Sequence, residues 1–541
     1  MNLTRHPLVT SFGITTIILM SFVDVLISSL KAGLFYHWDG PVHVIIGAVL
    51  LVLLIVWIAI LLLLFSVRNR PLAGRVVWLL LSIIILREVV EAVYMVIGAI
   101  RYNPLYFYIL YPSTAVNIAY FVFVLAICLS LTVGSIRAKP IWHQAKNLLI
   151  TVLAFAALSG VLVVYQLLQI GWIARNLNAP RPLRTPSASL ASTSRPKRVI
   201  WLLLDELSYD QVYEHRFPGL QLPAFDSLAA ESSVFTNVIP AGMYTQEVLP
   251  SLIVGREVDE VKYHIAGPLD LHPEGTGKDW VRFNPSDTVF QDAVDHGYRT
   301  GVAGWYNPYC RLLSEKLDSC YWDNTAPLSN SGLYGGGKDT LQITKDIFLY
   351  FLGIRSRQLR LHLVPPQGEW SPKNNILHLE SYQKLVPQGD KALLDPSLSF
   401  VFLHMPIPHP PGIYDRHTGK LSIDHTSYID NLVLADKYLA HIREELQANG
   451  TWDDTSIVIM GDHSWRTNIE WNKTDLWMPE DEVASDGGKF DSRPGYIIKL
   501  AGQTTPAHID APFKAIRTRA LLNALFQNQI ATPQQLAAWA M

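Results

Sequence analysis

The distribution of apolar residues constrains this chain most. Before about residue 175 they gather into five runs, roughly 8–30, 41–67, 73–100, 105–136 and 147–173, each long enough to cross a bilayer as a helix. Four further runs follow the first, so it is not expected to be a removable signal peptide. Arg5, Arg68, Arg70, Arg75, Arg137, Lys139 and Lys146 fall in the loops of one side and only Lys31 and Arg101 on the other, which makes the first side cytoplasmic. An odd number of spans then carries everything after residue 175 out of the cytoplasm. Asp24 sits late in the first run, and Arg87, Glu88 and Glu91 sit inside the third. Arg87 and Glu91 are four residues apart on one helix face, which suits either an internal ion pair or contact with a headgroup or partner helix.

Half of the 541 residues are hydrophobic and the formal net charge is −2, so a polyanion partner is not implied and nucleic acid is excluded from the expected ligands. Residues 176–197 are rich in Pro, Ser, Ala and Arg without apolar periodicity and read as a linker. Beyond it, short β-rich runs (VIWLLL, SFVFLHM, SIVIM, GYIIKL) alternate with helical stretches such as 222–232 and 427–448, the pattern of an α/β domain with a mainly parallel sheet. The expected organisation is a five-helix transmembrane domain over 1–175, a linker over 176–197 and an extracytoplasmic domain over 198–541. Cys128 lies inside the fourth run. Cys310 and Cys320 are the other two cysteines, and an oxidising compartment favours a disulfide between them.

Ligands of a parallel sheet bind beyond the carboxyl ends of its strands, and four polar motifs fall at such ends. LLLDE places Asp205 and Glu206 after the first strand, as hard oxygen ligands for a metal ion. VIMGDHS places Asp462 and His463 after a later one, a carboxylate and an imidazole able to reach the same ion. Thr245, in GMYTQEVLPS, stands at the start of a helix, where a hydroxyl near a cation can attack phosphorus and helix N–H groups help hold anionic oxygens. His404 and His409, in FLHMPIPHP, occupy a strand followed by prolines, placed to contact a phosphate, protonate a leaving group or complete a second metal site. Trp305, Asp415, Arg466 and Lys489 are further substrate-pocket candidates. The donor set favours Zn or Mn ahead of Mg or Ca.

With these motifs in place, the chain resembles the alkaline phosphatase superfamily in its sulfatase-like branch, and especially the membrane-anchored phosphoethanolamine transferases and lipoteichoic acid synthases of bacterial envelopes. The resemblance rests on Thr245 five residues before Pro250, on His404 and His409 five apart, on the late Asp462-His463 pair and on Asp205 after the first strand. It implies a bacterial cytoplasmic-membrane enzyme with a periplasmic or extracellular catalytic domain. That enzyme would move a phosphoethanolamine- or phosphoglycerol-type headgroup from a phospholipid to an envelope glycan or lipid through a phospho-threonine. The same centre with water as acceptor would be a phosphodiesterase or hydrolase, and a domain without activity would be a sensor or assembly protein. Those transferases carry a further His after the DH pair. Here no His lies between His463 and His508, and Lys489 or Arg493 is the replacement by sequence. Sulfatases of this fold build formylglycine from a Cys or Ser in C-x-P-x-R, whereas this chain has Thr245-Gln246-Glu247-Val248.

Overall fold

The computed structural model describes residues 7–27, 31–38, 41–77, 139–185, 197–323 and 372–541, apart from isolated positions. They fall into two compact units: Met1–Phe35 with Gly40–Leu177 and Ser331–Gln367, and Tyr36–Asp39 with Asn178–Asn330 and Gly368–Met541.

The first unit contains helices α1 (Pro7–Ile27), α2 (Val42–Ser66) and α3 (Lys139–Ile173). Glycine lets α1 and α3 approach closely. A Cβ on Gly13 would lie 2.2 Å from the Leu153 carbonyl oxygen, and one on Gly160 would lie 2.2 Å from Thr16 Oγ1. Trp57 of α2 donates its indole N–H to Ser11 Oγ of α1 at 2.9 Å and packs edge-on against Phe12. The outward faces are apolar: Leu54, Ile58 and Leu62 on α2 and Phe155, Leu158 and Leu162 on α3 are exposed. Contiguous apolar surface of this kind is costly in water and stable against lipid. Among the described residues, two helical stretches, Val42–Ser66 and Ile150–Ile173, are long and apolar enough to cross a membrane, where five were expected. The first run forms α1, whose apolar stretch Pro7–Met20 is shorter. The fourth run and nearly all of the third, with Arg87, Glu88 and Glu91, lie outside the described residues, as do residues 186–196 of the linker and the side chain of Asp24.

The second unit is built on an eight-stranded sheet. Its strands are β1 (Arg198–Leu204), β2 (Ser233–Phe235), β3 (Thr300–Trp305), β4 (Ser319–Asp323), β5 (Phe400–Met405), β6 (Thr455–Met460), β7 (Tyr496–Lys499) and β8 (Ala507–Ile509). They lie in the order β8-β2-β7-β6-β1-β5-β3-β4. The five strands from β6 to β4 run parallel, and β7 is antiparallel to both of its neighbours. The sequence of β1 is apolar almost throughout because both faces are covered. Ile200, Leu202 and Leu204 pack with Leu385 of helix α5 (Pro372–Leu394) and with Tyr438 and Ile442 of helix α6 (Tyr428–Ala448). Val199, Trp201 and Leu203 pack on the opposite face with Val248 and Leu252 of helix α4 (Thr245–Val254). Register places Leu203 beside both His404 and Met460, and Gly304 beside His404. The ends of β6, β1, β5 and β3 therefore deliver the DH, DE and histidine motifs and Trp305 to one edge.

Cys310 and Cys320 are joined, with Cα atoms 5.6 Å apart. Thiol labelling of the unreduced, denatured full-length protein is therefore expected to modify Cys128 alone. Modification of Cys310 and Cys320 as well would overturn the bond.

Candidate metal centre

The Thr245 hydroxyl is the geometric hub of the site. Its Oγ1 lies 2.8 Å from Asp462 Oδ2, 3.3 Å from His463 Nε2 and 3.4 Å from Asp205 Oδ2. Thr245 is the first residue of its helix, and the preceding Tyr244 makes no side-chain cap. The hydroxyl is thus turned toward the two carboxylates and the imidazole. Asp205, Asp462 and His463 are wholly buried, and their ligand atoms lie within 4.8 Å of one another.

Electrostatics fit a cation there. Burial and the nearby charge of Asp462 push the Asp205 carboxyl well above the usual range, against the pull of Arg466 and Thr245. Burial acts on Asp462 in the same sense, but His463, the Glu206 N–H, His404 and Thr245 outweigh it and hold Asp462 low. One carboxylate of the pair is held charged and the other resists ionisation, a conflict that a divalent ion removes. Asp205 Oδ1 is buried without a hydrogen-bond partner among the described residues, which leaves a ligand atom available. Burial pushes His463 and His404 down to about 4, so both are neutral at pH 7, the form in which imidazole binds metals.

Glu206 corrects the sequence expectation, because its carboxylate does not join the cluster. The residue has φ 62°, a left-handed conformation rare outside glycine, which sends its side chain away from Asp205. The carboxylate accepts from Arg466 Nε at 2.6 Å and from Trp471 Nε1 at 2.8 Å. The Glu206 N–H donates to Asp462 Oδ1 at 3.0 Å, and its carbonyl accepts from the Tyr428 hydroxyl at 2.8 Å. Glu206 therefore fixes a ligand rather than acting as one, in the manner of residues that orient metal-binding groups.

The two motif histidines separate. His404 is wholly buried between the Tyr309 hydroxyl, 2.9 Å from Nδ1, and Asp205 Oδ2, 3.2 Å from Nε2, so it steadies a carboxylate of the centre. His409 sits on a loop held by Asn431, whose amide donates to the carbonyls of His409 and Pro411 at 2.9 and 3.0 Å. Its ring packs edge-on to Trp305 and Trp471, and its Nε2 is 3.5 Å from Arg466. Arg466 is itself engaged by Glu206 and Glu470, with Tyr244 and Trp471 against its guanidinium. Trp305 and Arg466 thus stand beside His409.

Asp415 and Lys489 have local partners instead. Asp415 accepts from the His417 N–H at 2.9 Å and the Thr418 hydroxyl at 2.7 Å, closing a turn. The Lys489 side chain is 77% exposed and paired with Asp486. Arg493 is bound to Asp491 and Glu214. Trp471 and Tyr309 were not visible in the motifs. Neither lies at the end of a patterned strand, and no acidic or histidine signature marks them.

A hydroxyl held against two buried carboxylates and a neutral imidazole at the carboxyl edge of a parallel sheet is an arrangement suited to metal-assisted chemistry on an ester. Residues 197–494 match the family described as Sulfatase, and the chain belongs to that family. No curated protein matches it. Among solved structures it is similar to Ps i-CgsB in complex with k-i-k-neocarrahexaose, at 16% identity over 63% of this chain and 74% of that one, with a TM-score of 0.39. The phosphonate monoester hydrolase of Agrobacterium radiobacter is similar at 15% identity over 62% and 74%, with a TM-score of 0.36. The lipoteichoic acid synthase LtaP from Listeria monocytogenes is similar at 15% identity over 65% and 78%, with a TM-score of 0.36.

Proposed function

We propose that this protein transfers a phosphorus-containing headgroup from a membrane phospholipid to an envelope glycan or lipid, with Thr245 as the covalent carrier. The observation that carries the reading is the placement of Thr245 Oγ1 within 3.4 Å of Asp205, Asp462 and His463 at once. These three residues would hold the divalent ion, which supplies Lewis acidity and lowers the basicity of nearby oxygens. Formylglycine is an aldehyde, and oxidation of a threonine side chain would give a ketone because its Cβ carries a methyl group. A hydroxyl nucleophile is the chemistry that Thr245 retains.

In the first displacement Thr245 Oγ attacks phosphorus, the bond from phosphorus to the diacylglycerol oxygen breaks, and that oxygen takes a proton. The Thr245 hydroxyl already donates to Asp462 Oδ2, along the path by which its own proton leaves. In the second displacement an acceptor hydroxyl attacks phosphorus and Thr245 is regenerated. His404 holds Asp205 in place, whereas His409, beside Arg466 and the two tryptophans, faces the side where substrate oxygens would lie.

Membrane anchorage with an extracytoplasmic catalytic unit is supported by the apolar outer faces of the two long helices and by the Cys310–Cys320 bond. It is also supported by Tyr36–Asp39, the segment after the first apolar run, which is part of the catalytic unit. There Arg311 donates to the Tyr36 and Trp38 carbonyls at 2.9 Å each, and the Tyr36 hydroxyl donates to Asn307.

Mass spectrometry of protein quenched during turnover with phospholipid tests the proposal. The expected result is a mass increment on the Thr245 peptide equal to the headgroup phosphate. An unmodified Thr245 peptide while the lipid is being cleaved would place the reaction with the hydrolases that use water directly.

A further inference from the structure

A chain of hydrogen bonds joins the metal centre to a segment far from every motif. Tyr36–Asp39 belongs to the catalytic unit, although it stands just before Val42, the first residue of α2. The Tyr36 side chain is buried with Val254, Val258, Leu269 and Leu271, and its ring lies 4.4 Å from Tyr263. One helical turn, Tyr309–Leu312, makes three attachments through consecutive residues. Arg311 is buried and donates to the carbonyls of Tyr36 and Trp38, Cys310 is bonded to Cys320 of β4, and Tyr309 meets His404.

The bonds of this chain run in one direction. The Tyr36 hydroxyl donates to Asn307 Oδ1 at 3.2 Å, which leaves the amide N–H groups of Asn307 as donors. Burial pushes the Tyr309 hydroxyl well above the usual phenol range, and a hydrogen bond from the Asn307 side chain pulls it back, as a donor to the phenol oxygen does. With that oxygen accepting, the buried Tyr309 proton finds its acceptor at His404 Nδ1, 2.9 Å away. The neutral His404 then carries its own proton on Nε2 and donates it to Asp205 Oδ2 at 3.2 Å. The Trp305 carbonyl near the same ring favours a proton on Nδ1 instead. That tautomer would leave the Tyr309 proton unmatched and set a lone pair against the Asp205 carboxylate.

We propose that Tyr36, Asn307 and Tyr309 are positioning residues of the metal centre: they fix the His404 tautomer whose Nε2–H holds Asp205. The segment between the first two helices thereby takes part in building the site. Groups that orient metal ligands tune affinity without touching the ion, and a fully matched buried network holds its members more firmly than separate pairs would. The inference rests on Asp205 as a metal ligand and is independent of the group transferred.

Titration of the metal-free full-length protein in detergent with zinc, and separately with manganese, against a chromogenic chelator tests this. Tyr309→Phe keeps the ring and removes the proton that fixes His404, and metal affinity is expected to fall about 10- to 100-fold. Tyr36→Phe, at the far end of the chain, should cost about 2- to 10-fold, the scale of one neutral hydrogen bond. The double variant should bind metal as Tyr309→Phe does, because the chain is already cut. Wild-type affinity in either single variant overturns the proposal, as does a double variant whose losses simply multiply. A lowered thermal midpoint with unchanged metal affinity also overturns it and makes these residues packing groups. A wild type that binds neither ion removes the centre itself and the inference with it. The expected pattern of affinities in a protein that leaves phospholipid uncleaved would sink the proposed reaction and leave the positioning chain standing.

Discussion

Asp462→Ala is expected to purify folded and without its metal ion. Asp462 meets Thr245 and His463 through Oδ2 and the Glu206 N–H through Oδ1, so its removal takes away a ligand and the anchor of the loop that carries Asp205. Substitution of groups that merely orient ligands costs about 10- to 100-fold in metal affinity, and loss of a ligand should exceed that. The apo protein behaves differently. Asp205 and Asp462 oppose each other's ionisation when no cation is present, and the substitution relieves that repulsion. The metal-free variant should therefore melt close to the metal-free wild type. Added metal at about 100 times its dissociation constant should stabilise the wild type by about 2.7 kcal/mol and the variant hardly at all. Elemental analysis and thermal melts with and without metal check both halves. Full metal occupancy in the variant would remove Asp462 from the centre.

Legibility followed the kind of physics involved. Asp205 and Asp462 could be read because each ends an apolar strand buried on both faces, and a charged residue at that position marks the exit into a crevice. That those two strands are neighbours in the sheet could not be read, since strand order depends on long-range pairing. Glu206 shows the limit most clearly. In sequence it is the twin of Asp205, yet a backbone turn to φ 62° sends its carboxylate to Arg466 and Trp471. Asp415 and Lys489 were misplaced for a different reason. Each is a polar residue near a motif in the chain, and each finds a local partner that keeps it in a turn or in solvent. The apolar runs fixed the location of the helices in the first unit. The contacts that make α1 and α3 a pair depend on Gly13 and Gly160, whose role only the packed structure shows.

Thr245→Ala should lose activity by several orders of magnitude, the scale on which a covalent nucleophile contributes, while it keeps the metal. Asp205, Asp462 and His463 all remain in that variant, and the small cavity left by the hydroxyl and methyl lies at the start of a helix otherwise held by Val248, Leu249 and Leu252 in the core. Thr245→Ser should retain part of the rate, because the oxygen survives and only a methyl contact is lost. The contrast separates two mechanisms that share every other residue. If Thr245 only oriented the carboxylates, Ser and Ala would differ by no more than one hydrogen bond to a charged group, about 10- to 100-fold. If it carries the phosphoryl group, Ala should form no adduct and leave the phospholipid intact, while Ser accumulates the modified peptide. Single-turnover cleavage of phospholipid by the two variants, with metal content measured on the same samples, decides between them. Near wild-type turnover by Thr245→Ala with metal retained would assign the attack to water and make the protein a phosphodiesterase of the same fold.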